Sequence, residues 1–361
     1  MQVHALTDPA ALESIADPWN ALAAGDPLNS HHWLGVWARH YSDSAPYVLT
    51  VHDQAGELVG LAPWRKSRSL REGAAIRWLG DGEVCSDHTT ILAAPGQEKE
   101  VVEAIARFLL ADSGAWDCLC LENTDADNLR VLRLIERLRD GGCGGVTLPA
   151  SGSWTLELPA TWEEFFAMQS RSHRGQLRRA ERNVLSSDRC EARVVRTEAD
   201  LEEAWPVLID LHQQRWEAEG EPGCFASARF TAFHHEATRR LLGAGMLHMQ
   251  MILLDGRPAA IDYNLQAADT IHGYQGGLAL EFLPDSPGRL MRVFSTRRAV
   301  EAGFKHFDMM RGDESYKAHW RGTHRAAVHY RVAPPRVSAR VRAAAEGAYR
   351  GLRSAAKRAL K

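Results

Sequence analysis

Apolar positions recur at three- and four-residue steps through much of the chain and alternate elsewhere. Val101, Val102, Ile105, Phe108 and Leu109 keep a 3.6-residue period, which predicts a helix over 98–112. The same reading gives helices over 126–138, 162–185, 198–219, 226–242 and 290–302. The last carries Leu290, Val293, Phe294, Ala299 and Val300, and Gly303 stands where a C-capping glycine belongs. An aromatic helix over 29–41 turns Trp33, Val36 and Trp37 to one side, and Asp8-Pro9 reads as the N-cap and first position of an earlier helix. Strand patterns fall at 2–6, 75–79, 88–92, 116–121, 153–158, 271–277 and 304–310. Two hairpins stand out. One joins 47–51 to 58–63 across a turn at 53–56; the other joins 246–254 to 259–267 across Asp255-Gly256-Arg257-Pro258. Each is followed by a helix and a further strand, a weak internal repeat that predicts two related α/β domains in tandem. A Gly-Gly-Cys-Gly-Gly stretch at 141–145 marks a turn near their boundary. The domains are drawn at 1–150 and 151–335, with a separate tail at 336–361.

Composition narrows the class. At 361 residues, with 45% apolar and 25% charged positions, the chain can bury a sizeable core in each half. A net charge of −3 gives no global field toward nucleic acid. The six cysteines include no C-x-x-C pair, and Cys118 and Cys120 alternate within an apolar run, so they read as reduced packing residues. The start shows no basic-then-apolar leader and no 18-residue apolar run follows, so a cytoplasmic location is expected. The sixteen histidines are scattered without metal-ligand spacing, and H-E-x-x-H, G-x-S-x-G and G-x-G-x-x-G do not occur, so no metal is expected.

Three charged features carry candidate chemistry. The loop 284–288, Pro-Asp-Ser-Pro-Gly, runs into a helix whose start offers unpaired backbone N–H groups around Ser286, Gly288, Arg289 and Leu290, an arrangement suited to a phosphate or carboxylate. Arg171, Arg174, Arg178 and Arg182 form one helical stripe. Arginine suits phosphate and carboxylate, which makes Arg174 and Arg178 candidates for substrate binding; a solvated face is the alternative. The tail sets eight basic residues against Glu346 alone. It reads as a basic amphipathic helix, lying on anionic lipid or an acidic partner, or packed weakly on the body.

An ordered set of segments resembles the GNAT-type acyltransferases, and more narrowly the CelD-like, FemAB-related group with its BioF2-like acetyltransferase domain. The segments are SRSHRGQLRRAERN (170–183), LIDLHQQRWEAEG (208–220), LLDGRPAAIDY (253–263), HGYQGGLALEFLPDSPGRLM (272–291) and AGFKHFDMMRGDESYKAHW (302–320). The first half, with NSHHWLGVWARHY and its hairpin, is similar to the leading domain of that group, so the resemblance covers about 25–330. It implies tandem GNAT-like domains, each a mixed, largely antiparallel sheet flanked by helices, the first degenerate and the second catalytic. Two parallel strands near 271–277 and 304–310 would splay to admit the donor's pantetheine arm.

The implied activity is transfer of an acyl group from acyl-CoA to an amine by direct attack. The acceptor would be an amino-sugar or another cell-envelope or polysaccharide precursor. The resemblance makes Lys317, Tyr316 and Asp308 catalytic: Lys317 would stabilise developing negative charge, Tyr316 would protonate the leaving thiolate, and Asp308, Asp262 or Glu314 would take the amine's proton. Trp216, Asp262 and Tyr274 would line the acceptor pocket. The segment PDSPGRLM departs from the Q/R-x-x-G-x-G/A pattern of many CoA-binding members. An aminoacyl-tRNA-dependent FemAB-type ligase therefore stays open, as does a non-catalytic assembly protein in polysaccharide export held to the inner membrane face by its tail.

Overall fold

The computed structural model describes residues 1–41, 43, 45–312 and 314–359. Leu360 and Lys361, and the side chains of Ala355, Lys357 and Arg358, which the tail reading invoked, lie outside the described residues. The chain forms two compact units. The first holds Met1–Ala24, Leu28–Ser151 and the chain from Ala326 onward; the second holds Gly25–Pro27 and Gly152–Arg325.

The first unit opens with β1 (Gln2–Leu6), α1 (Pro9–Glu13) and α2 (Ala16–Ala23). Asp8 caps α1 by accepting from the Ala10 amide at 3.0 Å. A π turn at His31–Gly35 continues into α3 (Val36–His40), then β2 (Ala45–Pro46), β3 (Val48–His52), β4 (Leu58–Ala62), β5 (Trp64–Ser69) and β6 (Gly73–Trp78). The strand expected over 88–92 shrinks to β7 (Leu92–Ala93). Next come α4 (Glu98–Ala111), β8 (Cys118–Asp125), α5 (Leu129–Asp140) and β9 (Gly144–Glu157), which leads into the second unit. Strands β1-β3-β4-β7 form one antiparallel sheet, while β6 and β8 pair in parallel at Ala75↔Cys118, Ile76↔Leu119 and Arg77↔Cys120. Val101, Val102, Ile105 and Leu109 of α4 are fully buried beside Trp64, Trp116 and Leu119, so the apolar stripe seen in sequence is the core face.

The second unit contains α6 (Trp162–Met168), α7 (Arg171–Ala180), β10 (Cys190–Val194), α8 (Glu198–Ala218), α9 (Ala228–Gly243), β11 (Leu247–Leu254), β12 (Arg257–Gln266), β13 (Thr270–Leu278), α10 (Pro287–Glu301), β14 (His306–Arg311) and α11 (Ser315–His319). Its strand order is β10-β11-β12-β13-β14-β9, antiparallel except between β13 and β14. The single helix expected over 162–185 is two. Gln169 is extended at ψ 153°, and Ser170 Oγ accepts from the His173 amide at 3.3 Å to start α7. Leu156, Phe165, Leu177, Ile271, Val293 and Phe307 fill this unit's core.

The chain closes with β15 (Thr323–Ala333) and α12 (Val337–Ala359). Residues 326–335, drawn by sequence with the second domain, fall in the first unit because β15 pairs antiparallel with β8 from Ala327↔Asp125 to Val332↔Leu119. The fold is of the expected class, mixed α/β with largely antiparallel sheets flanked by helices. Both units repeat one plan: a strand, a crossing helix and a parallel strand, as β6-α4-β8 and β13-α10-β14.

Helix α8 packs directly onto the backbone of β13. A Cβ on Gly277 would stand 2.7 Å from Leu211 Cβ and 2.8 Å from the His212 amide nitrogen. Gly277→Ala must therefore push α8 away, at a cost of about 1–3 kcal/mol. Urea unfolding checks this, and an unchanged midpoint contradicts the packing described.

Candidate active site

Strands β13 and β14 pair at only three positions, Thr270↔His306, Ile271↔Phe307 and His272↔Asp308. Beyond them β13 stays with β12 to Leu278, while β14 turns toward β9. The strands separate, and a cleft of about 710 Å³ opens between them. Residues 273–278 form one wall and Met309 part of the other; Arg289 and Arg292 of α10 and His212, Arg215 and Trp216 of α8 complete it.

The separation strains β14. Met310 has φ +59°, and the register with β9 shifts between Asp308 and Arg311. A β-branch-free residue can hold this left-handed conformation only where its surroundings fix it. Asp308 Oδ1 accepts from the Met310 amide at 2.7 Å. Lys317 Nζ donates to the carbonyls of Met310 at 3.2 Å and Arg311 at 2.6 Å, and sits 2.9 Å from Glu314 Oε2. Its three N–H groups are thus accounted for, and only 2% of Lys317 is exposed. Asp308 is likewise buried. Both residues hold the irregular segment of β14 between Asp308 and Arg311, where its register with β9 shifts.

The cleft is rich in arginine. Arg292 lies over the Phe307 ring at 4.7 Å and lowers the Tyr316 phenol; burial, the larger effect, raises it. Arg215 pairs with Glu219 at 3.4 Å. Asp262 Oδ2 accepts from Ser295 Oγ at 2.6 Å, and Ser295 Oγ in turn accepts from Gln250 Nε2 at 2.6 Å. The Trp216 indole donates to His212 Nε2 at 3.0 Å. An indole N–H only donates, so the His212 proton sits on Nδ1, 3.2 Å from Gln213 Oε1. Burial lowers the pKa of His212, and takes that of His173 to about 4, so burial favours the neutral imidazole at both. Tyr274 OH meets His234 Nε2 at 3.2 Å.

The start of α10 is a sparser anion site than its sequence suggests. Pro287 has no N–H, and the amides of Arg289 and Leu290 both reach the Ser286 carbonyl, at 2.9 and 3.1 Å. Ser286 takes φ +58° and caps nothing with its side chain. Gly288 and Arg289 line the cleft, whereas Leu290 is core.

Six of the residues singled out in sequence line one cleft: Tyr316, Gly288, Arg289, Trp216, Asp262 and Tyr274. Lys317, Asp308, Ser286, Leu290, Arg174 and Arg178 do not. Arg174 is half-buried, and Arg178 is exposed over the Phe166 ring at 5.5 Å. Sequence reasoning assigned no site role to Arg292, Arg215, His212, His173, Gln275 or His319, although His212 and Arg215 stand with Trp216 in one polar set on the helix over 198–219. The four-residue spacing of His212 and Trp216 was a usable signal, as was the three-residue spacing of Arg289 and Arg292.

This architecture is that of the GNAT and FemAB-like fold. Residues 171–318 match the acetyltransferase (GNAT) domain family. Among solved structures the chain is similar to FemX, at 12% identity with a TM-score of 0.64, covering 93% of this chain and 98% of that one. It is also similar to the C-terminal domain of a lysylphosphatidylglycerol synthetase from Agrobacterium fabrum, at 11% identity and TM-score 0.55, covering 92% and 94%. L-PGS from Bacillus licheniformis gives 11% identity and TM-score 0.55 over 94% of each chain. No curated protein matches the chain.

Two outcomes follow from the site's electrostatics. Lys317→Met strands two carbonyls and should cost about 3–5 kcal/mol, read as a lowered urea midpoint; an unchanged midpoint contradicts the clamp. Burial also lowers the pKa of His248 to about 4 and that of His234 well below its ordinary value. These histidines bind protons more readily unfolded than folded. Stability is therefore full above pH ~6.5 and is lost as pH falls toward ~4, with a slope of up to ~1.4 kcal/mol per pH unit for each proton. Urea midpoints at pH 7, 6 and 5 that stay flat would contradict this.

Proposed function

We propose that the chain is an N-acyltransferase that moves an acyl group from acyl-CoA to an amine in the cleft between β13 and β14. The observation that carries this reading is the three-pair limit of the parallel β13/β14 ladder, beyond which β13 presents an extended edge, no longer laddered to β14, to a cleft of about 710 Å³. An extended thioester arm can add to such an edge as a strand would. Arg289, Arg292 and the Gly288 amide approach it from α10, suited to the donor's anionic groups. The acceptor enters from the side of Trp216 and Tyr274. A cell-envelope or polysaccharide amine, such as an amino-sugar, is the acceptor class we infer from the family resemblance.

The amine nitrogen attacks the thioester carbonyl carbon, and the carbonyl π pair moves to oxygen. Asp262 takes the proton released by the amine. Of the three carboxylates considered, Asp262 lines the cleft, with its Oδ2 held by Ser295, while Asp308 and Glu314, bound to the Met310 amide and to Lys317, do not line it. When the C–S bond breaks, the Tyr316 phenol protonates the leaving thiolate. Burial raises that phenol above its ordinary value, so its proton is present at neutral pH. Lys317 and Asp308 act as positioning residues, through the bulge at Met310. Arg174 and Arg178 lie outside this cleft and take no part in the transfer step.

A second reading rests on the start of α10. With Pro287 lacking an N–H and two following amides turned to Ser286, that turn offers a pyrophosphate less than several amides would. This favours a donor held elsewhere along its length, as in an aminoacyl-tRNA-dependent ligase of FemAB type.

Incubation with labelled acetyl-CoA and with labelled aminoacyl-tRNA, each with a panel of amines, separates the two. Release of free CoA thiol on acetyl-CoA is the expected result; consumption of aminoacyl-tRNA alone selects the second reading, and consumption of neither contradicts both. Tyr316→Phe and Asp262→Asn should each lower kcat about 10²-fold with the fold intact by circular dichroism. Full turnover in both variants contradicts the proton-transfer roles.

A further inference from the structure

Helix α12 (Val337–Ala359) packs on the first unit through one face. Ala339 is fully buried, and Glu346 is 9% exposed and paired with Arg71 at 3.4 Å and Arg350 at 3.9 Å. Arg340 and Arg342 reach the carbonyls of Gly142 and Leu70, both at 2.7 Å. These contacts fix which side of the helix faces outward.

The outward side is apolar. Val337 is 80% exposed, Val341 63% and Leu352 72%, with Ala345 and Ala348 exposed between them. At ~100° per residue, these five positions fall within an arc of about 80°, opposite the buried pair Ala339 and Glu346. Leu70, whose carbonyl accepts from Arg342, is fully exposed beside the helix. Such side chains gain nothing from water, and scattered single residues would need no explanation. A continuous stripe does.

Charge identifies what covers it. Residues 336–361 hold eight basic side chains and one acid, and that acid, Glu346, lies on the packed face. Arg340 and Arg353 are exposed on flanks of the stripe. A nucleic acid would meet the arginines but leave the valines and leucines in water. An acidic protein groove would need a deeper apolar ridge than valine and alanine provide. A bilayer with anionic headgroups matches both features, taking the short apolar side chains just below the headgroups and the guanidiniums at their level.

We propose that the exposed face of α12, with Leu70, docks the protein on an anionic membrane surface, the helix lying in the interfacial plane. The docking does not depend on the acyl-transfer reading.

The test is co-sedimentation of the full chain with vesicles of phosphatidylcholine alone and with added phosphatidylglycerol, at low and high salt, with bulk tRNA as a competitor. Binding to the anionic vesicles, at least tenfold weaker on pure phosphatidylcholine and reduced by salt, is expected. Val341→Asp with Leu352→Asp should weaken it at least tenfold; both positions are exposed, so the thermal midpoint should not move. Leu70→Ser, outside the helix, provides a second variant and should weaken binding in the same direction. Failure to bind anionic vesicles, binding unaffected by all these substitutions, or displacement by tRNA through this face overturns the proposal.

Discussion

The second unit is organised by the point at which β14 leaves β13. A parallel ladder that stops after three pairs leaves backbone N–H and C=O groups that no neighbouring strand can satisfy. The chain answers with buried charged side chains. Asp308 takes the Met310 amide, and Lys317 takes the carbonyls of Met310 and Arg311. Desolvating a lysine is costly unless every N–H finds an acceptor, and here Glu314 is the third. The strained φ of Met310, the buried ammonium and the open cleft are three aspects of one constraint.

The rest of the site is arranged around that opening. On one side α10 presents Arg289 and Arg292; on the other α8 presents His212, Arg215 and Trp216. The close seat of α8 on Gly277 sets how near these side chains come. The Gln250–Ser295–Asp262 chain ties the Asp262 carboxylate to β11 and α10, so it is held in place rather than free to swing. Burial lowers the pKa of His212 and His173, disfavouring their charged forms, while Arg215, Arg289 and Arg292 bring permanent positive charge to the cleft.

Much of the framework was legible because it rests on local rules. Asp255-Gly256 makes the second hairpin, Gly303 at φ +83° ends α10, and Asp8 with Pro9 starts α1. What escaped depends on partners distant in sequence. Strands β10 and β15 are half-exposed and polar, and only their pairing with β11 and β8 makes them strands. The break at Gln169 is hidden because apolar spacing continues across it, while the Ser170 cap that decides it is one side chain. For the site, sequence could find the right loop but not the direction of its side chains. Tyr316 and Lys317 are neighbours, yet one lines the cleft and the other is buried against carbonyls. A reactive lysine and one that satisfies backbone look alike in sequence. Arg292 could not be singled out in sequence, because only the splay of β13 and β14 makes its position a cleft wall.

The most direct measurement of this account is a crystal structure of the protein soaked or grown with a non-hydrolysable acyl-CoA. The account requires the pantetheine arm to lie between residues 273–278 of β13 and Met309 of β14, with its carbonyl near Tyr316 and its phosphates toward Gly288 and Arg289. Density for the arm elsewhere, or a cleft filled by Arg292 with the ligand bound outside it, would contradict the claim that the parted strands form the donor site.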